Sequence, residues 1–174
     1  MREIQFIQSD TVVETQADAW RLASIDPPAT FAALRHLAGP IDETWTQALP
    51  AGPDLARYRA IEVSDSGPAT EHAAVIMLVA FNVPDDQRAE VDLWYAQEHI
   101  PLLLRADGWL RARRYDVVAQ EGGPAWTSLA FHELRDVGVL NSPERAAARS
   151  TPWRAQLAGS PWFEAAGRWV YARL

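Results

Sequence analysis

The order of apolar runs and chain breakers in the second half of the sequence leaves few folds open to it. Ala74 to Phe81 is a short, continuous apolar run between turn signals, the mark of a buried strand. Asn82-Val83-Pro84-Asp85-Asp86 then opens a helix, since proline is tolerated in a first turn and acidic side chains favour a helix N-terminus. That helix is expected to stop at about His99, because Pro101 lacks an N–H donor and biases Ile100 away from helical angles. Trp109 to Val118 and Trp126 to Leu134 read as strands joined by a turn at Glu121-Gly122-Gly123-Pro124. Ser142-Pro143 and Thr151-Pro152 each place a capping side chain before a proline suited to the first helical position, so a broken helix follows. Arg168 to Leu174 closes the unit as a fourth strand.

Strand, helix, strand, strand, helix, strand is the ferredoxin-like arrangement of an α+β protein. The first half reads as its later part only. It offers strands at Glu3 to Gln8, Ala17 to Ile25 and Ala56 to Val63, with helices expected after Asp26-Pro27-Pro28 and after Gly39-Pro40. A degenerate repeat links the halves. Ser9-Asp10 through Ala19-Trp20 to Ser24 echoes Tyr115-Asp116 through Ala125-Trp126 to Ala130. Trp45-Thr46-Gln47-Ala48-Leu49 echoes Trp153-Arg154-Ala155-Gln156-Leu157, and Arg57 to Ile61 echoes Arg168 to Ala172. On this alignment the first copy lacks its opening strand and helix. The chain therefore divides into a truncated repeat over residues 1–66 and a complete unit over 73–174, joined by Ser64-Asp65-Ser66-Gly67-Pro68.

Composition narrows the chemistry. The chain has no cysteine, which excludes disulfides, zinc–thiolate sites and thiol nucleophiles. A formal net charge of −7 argues against nucleic acid as the main partner. Ala73 to Phe81 and Ile100 to Leu104 are too short to span a bilayer as helices, and Met1 to Phe6 lacks the order of a signal peptide, so a cytoplasmic, membrane-free protein is expected. The histidines show no metal-ligand spacing, and Gly122-Gly123 builds no nucleotide cradle, so neither metal nor cofactor is expected.

Trp94-Tyr95-x-x-Glu98-His99-Ile100-Pro101, followed by Gly108-Trp109-Leu110-x-Ala112-Arg113-Arg114-Tyr115, resembles the pattern of the dimeric α/β-barrel superfamily and, within it, of the EthD-like proteins. The resemblance implies two ferredoxin-like units paired sheet to sheet, here as a pseudo-dimer within one chain. It implies a pocket between sheet and helices, rimmed by the end of the first helix and open to small apolar or aromatic molecules. The superfamily's chemistry is diverse: cofactor-independent monooxygenases, cyclases, isomerases and haem enzymes.

Candidate residues follow from spacing. Val91, Trp94, Tyr95 and Glu98 share one helix face. Glu98 is either a desolvated proton carrier or the partner of Arg105 or Arg114. His99, in the last helical turn, would have its charged form favoured by the helix dipole, and serves either in proton exchange or as a bond to a loose carbonyl. His132 shares a strand face with Trp126, Ser128 and Ala130 by the two-residue period. The candidate catalytic set is Tyr95, Glu98, His99 and His132. The candidate substrate contacts are Trp94, Arg114, Trp126 and Ser128. Two functional readings stay open: a cofactor-independent isomerase, cyclase or monooxygenase acting on a small apolar or aromatic carbonyl compound, and a non-catalytic ligand-binding or structural barrel. A homodimer is expected, because an edge left by the missing elements would seek a partner.

Overall fold

The computed structural model describes residues 2–9, 19–27, 31–37, 55–69 and 71–174. In chain order its elements are β1 (Glu3–Ser9), β2 (Trp20–Asp26), β3 (Phe31–Leu37), β4 (Leu55–Asp65), β5 (Val75–Phe81), α1 (Arg88–Trp94), a π turn (Tyr95–His99), α2 (Ile100–Leu103), β6 (Trp109–Glu121), β7 (Ser128–Leu134), α3 (Pro143–Ala148), α4 (Pro152–Ala158), α5 (Pro161–Glu164) and β8 (Gly167–Arg173). The eight strands close into an antiparallel barrel in the order β1-β3-β2-β8-β5-β7-β6-β4. Each half contributes four neighbouring strands in the order fourth, first, third, second. No helix among the described residues is long and apolar enough to cross a membrane.

The period of two explains how one strand serves two cores. On β5, Ile76, Leu78 and Ala80 point into the barrel, where they meet Ile4, Phe6, Leu34, Tyr58, Leu129 and Phe131. Its other residues, Val75, Met77, Val79 and Phe81, face the helices. A strand buried on both faces reads as an unbroken apolar run, which is why Ala74 to Phe81 shows no alternation.

Three expectations are corrected. Phe31 to Leu37 is a strand, where a helix was expected after Asp26-Pro27-Pro28. Its alanines and leucines favour helix, but pairing with β1 and β2 buries Ala32 and Leu34 inside the barrel, and that burial overrides propensity. The first half is therefore not missing its opening strand: β1 occupies in its half the place that β5 occupies in the other. The repeat register that set Ser9 to Ser24 on Tyr115 to Ala130 matches strands of different rank, whereas Arg57 to Ile61 and Arg168 to Ala172 both lie on fourth strands. The helix expected after Gly39-Pro40 and the Trp45 to Leu49 match lie outside the described residues. Finally, closure pairs both edges of every strand, which removes the open edge on which the homodimer expectation rested.

The turn after β6 depends on Gly122, whose φ of +67° is strained for any other residue and whose added Cβ would lie 2.5 Å from the Leu55 carbonyl oxygen. Gly122→Ala is expected to cost about 1–3 kcal/mol in thermal unfolding. An unchanged melting temperature would contradict this turn geometry.

Candidate functional site

The first helix does not stop where proline was expected to stop it. After α1, the Ile100 N–H donates to the Tyr95 carbonyl five residues back, a π turn, and the helix resumes as α2 with Pro101 in its first turn. The wider turn relieves the clash between the proline ring and the carbonyl four residues before it. His99 therefore sits inside a continuing helical segment, not at an exposed C-terminus, and the dipole argument for its charged form fails.

The turn stacks the His99 ring on Trp94, with centroids 4.3 Å apart, and sets it edge-on to Tyr95 at 5.5 Å. Its Nδ1 is buried with no hydrogen-bond partner. Burial pushes the ring down to about 4. Contact with the Ala148 backbone favours the charged form, and Arg154, Arg145 and Arg149 add to the depression.

Opposite lies His132, on the helix-facing side of β7 with Ala130. Its Nδ1 accepts from Trp109 Nε1 at 3.2 Å, so the neutral ring carries its proton on Nε2. Burial pushes it down to about 3, with His99 and Arg145 reinforcing the shift. Both rings are neutral near pH 7. Burial also pushes the Tyr95 phenol up to about 12 against the pull of nearby arginines, so it stays protonated.

His99, His132, Tyr95 and Trp94 line one half-open cavity of about 80 Å³ between the sheet and the helices, or about 540 Å³ when the open solvent at its mouth is counted. Its apolar wall comes from Met77, Val79, Phe81, Leu103, Trp109 and Phe163. The other candidates lie elsewhere. Glu98 accepts from Trp94 Nε1 at 3.1 Å and from the Thr151 hydroxyl at 2.6 Å, which ties the first helix to the cap of α4. Arg114 pairs with Asp92 at 2.7 Å, donates to Ser128 Oγ at 3.3 Å and lies 4.2 Å from the Tyr95 ring centroid, beneath the wall. Trp126 belongs to the barrel interior against Trp169, 6.2 Å away. It precedes β7, so the two-residue period does not carry it to the face of His132.

Arg145, Arg149, Arg154 and Arg168 complete the cavity lining, and sequence reasoning passed over them. A signal was present. Ser142-Pro143-Glu144-Arg145 and Thr151-Pro152-Trp153-Arg154 repeat one pattern, in which the cap oxygen accepts from the arginine's own N–H at 3.2 Å in each case. Each cap thereby fixes the backbone of an arginine facing the cavity. No group of three histidine, aspartate or glutamate side chains among the described residues could hold a metal.

No protein-family model matches the sequence, and no curated protein matches it. Solved structures match its shape. An anthrone oxidase-like protein is 9% identical with a TM-score of 0.64, covering 99% of this chain and 91% of its own. A ferredoxin-fold protein related to antibiotic biosynthesis monooxygenases, from Listeria monocytogenes, is 9% identical with a TM-score of 0.59, covering 99% and 94%. The heme-degrading enzyme LmHde from the same organism is 6% identical with a TM-score of 0.60, covering 98% of each chain. These likenesses show the fold alone, a ferredoxin-like α+β arrangement.

Proposed function

We propose that the cavity binds a small apolar or aromatic carbonyl compound and that His99 exchanges a proton with it, assisted by Tyr95 and His132. The observation that carries this reading is the convergence of two neutral imidazoles and a protonated phenol on one aromatic-walled cavity. In the proposed step the His99 ring removes a proton from the carbon beside the carbonyl. The electron pair of the broken C–H bond shifts to form an enolate, whose oxygen accepts from the His132 Nε2–H or the Tyr95 hydroxyl. Isomerase, cyclase and cofactor-independent oxygenase chemistry all begin this way. The oxidase and monooxygenase names among the fold neighbours, and the EthD-like pattern from Trp94 to Tyr115, support it. The repeated strand order supports reading the halves, 1–66 and 73–174, as a duplicated unit closed on itself as a pseudo-dimer.

The test is hydrogen–deuterium exchange at the carbon beside the carbonyl of 2-tetralone, followed by NMR in heavy water. Wild type is expected to accelerate exchange, and His99→Gln to lower the acceleration at least about tenfold with its fold intact. Acceleration that survives in the variant would remove His99 from the role. Binding without acceleration would instead favour a ligand-binding barrel, the reading that the low proton affinity of His99 supports.

A further inference from the structure

All 16 basic residues of this chain are arginine, and the 23 acidic ones outnumber them. Carboxylate partners are therefore plentiful, and buried or half-buried arginines elsewhere have taken them: Arg111 with Asp65, Arg113 with Glu133, Arg114 with Asp92, whereas of the four lining the cavity Arg145 and Arg154 are half-buried and Arg149 and Arg168 exposed. The four arginines lining the cavity have none. Neither Arg145, Arg149, Arg154 nor Arg168 forms an ion pair among the described residues.

Three of these side chains are nevertheless held. Arg145 donates to the Leu140 carbonyl at 2.6 Å, Arg154 to the Arg149 carbonyl at 3.1 Å, and Arg168 to the Ala166 and Phe163 carbonyls at 3.3 and 3.4 Å. Arg154 also lies 5.2 Å from the Phe163 ring centroid, on the cavity wall. A guanidinium has five donors, so one or two carbonyl bonds leave most of the fork available. Like charges gathered without counter-ions around a partly dry space repel one another, and an oxyanion in their midst would reverse that cost. In Arg145, Arg154 and Arg168 burial and the neighbouring arginines both disfavour the charged form.

We propose that the cavity takes an aromatic carboxylate, its ring against Phe81, Trp94, Trp109 and Phe163 and its carboxylate held by Arg145, Arg149, Arg154 and Arg168. The inference rests on the cavity being the ligand site and adds the charge of the ligand. It also bears on the proton step. Three of these arginines help to depress His99, so a bound carboxylate that offsets them makes the imidazole a stronger base when ligand is present.

The experiment titrates the full chain near neutral pH with benzoate and 2-naphthoate, with their primary amides, and with inorganic phosphate. Calorimetry and tryptophan fluorescence report binding, since Trp94 and Trp109 form part of the wall. The acids are expected to bind at least about tenfold more tightly than the amides and to weaken as salt is raised. Arg154→Gln and Arg168→Gln should each weaken acid binding about fivefold or more and amide binding by much less. Equal affinity for acid and amide, or unchanged acid binding in both variants, would overturn the anion site and leave the proton-exchange reading standing. Phosphate binding as tightly as the aromatic acids would overturn the aromatic carboxylate in favour of a bare oxyanion. Binding of none of these probes would overturn both readings.

Discussion

Acidifying the protein from near pH 7 to near pH 4 is expected to remove about 6 kcal/mol of folding stability through two histidines alone. The folded-state values, about 4 for His99 and about 3 for His132, lie below the ordinary 6.5. Between those values and 6.5 the unfolded chain binds more protons than the folded one. The stabilisation is therefore complete above about pH 6.5 and is lost as the pH falls through that window, at about 3 kcal/mol for each ring. Desolvation is the leading cause for both. Protonating one ring also disfavours protonating the other, so the loss comes in linked steps. Asp65 and Asp107, held low by Arg111 and Arg135, add acid sensitivity of their own, and a comparison with a variant is needed to separate them. Glutamine at positions 99 and 132 cannot titrate, and at 132 it can still accept from Trp109. In urea unfolding, the stability of wild type relative to His99→Gln/His132→Gln should fall steeply between near pH 7 and near pH 4. A constant difference would show that the rings are solvated and that the cavity is not dry.

A comparable loss is expected from Glu133→Ala, about 3–5 kcal/mol. Glu133 lies on the barrel-facing side of β7, and its Oε1 is 2.9 Å from Arg113 Nη2, with side chains only 5% and 3% exposed. The contact is a charge pair without hydrogen-bond alignment at these two atoms. The Arg113 guanidinium also lies 5.2 Å from the Trp20 ring centroid on β2, so this charge bridges the two halves of the barrel. Removing the carboxylate takes one counter-charge away from a buried guanidinium. Arg113→Met/Glu133→Leu removes both charges and is expected to recover most of the loss. Chemical denaturation of the single and double variants measures this, and a Glu133→Ala cost under about 1 kcal/mol would mean that water reaches the pair.

The parts of the fold readable in the sequence are those fixed by local chemistry. Ser142 and Thr151 cap the helices that their following prolines announce, and β5 is as apolar as a doubly buried strand must be. Helical spacing placed Trp94 and Tyr95 together, and the strand period turned His132 toward the helices, so the convergence of these residues with His99 on one cavity follows from two short-range rules. What stayed hidden depends on distant partners. Nothing local in Phe31 to Leu37 announces that β1 and β2 leave a slot for it. Pro101 looks like a terminator until the π turn before it is known. Arg145, Arg149 and Arg154 resemble a solvated helix face and Arg168 an ordinary strand residue, because their common orientation arises only when the helices fold over the sheet.

The π turn carries a consequence for how this cavity can change over generations. Such a turn holds one residue more than an α-helical turn. Deleting Ala96 or Gln97 would let the segment wind as plain α-helix, with the helix on either side kept roughly in phase and the side chains of the turn itself re-aimed. The imidazole would lose the stacking on Trp94 that the wide turn sets, and Pro101 would meet the carbonyl it now avoids. A single codon thus separates a wall whose proton acceptor is held in place from one where it is re-aimed, while the barrel beneath needs no rebuilding.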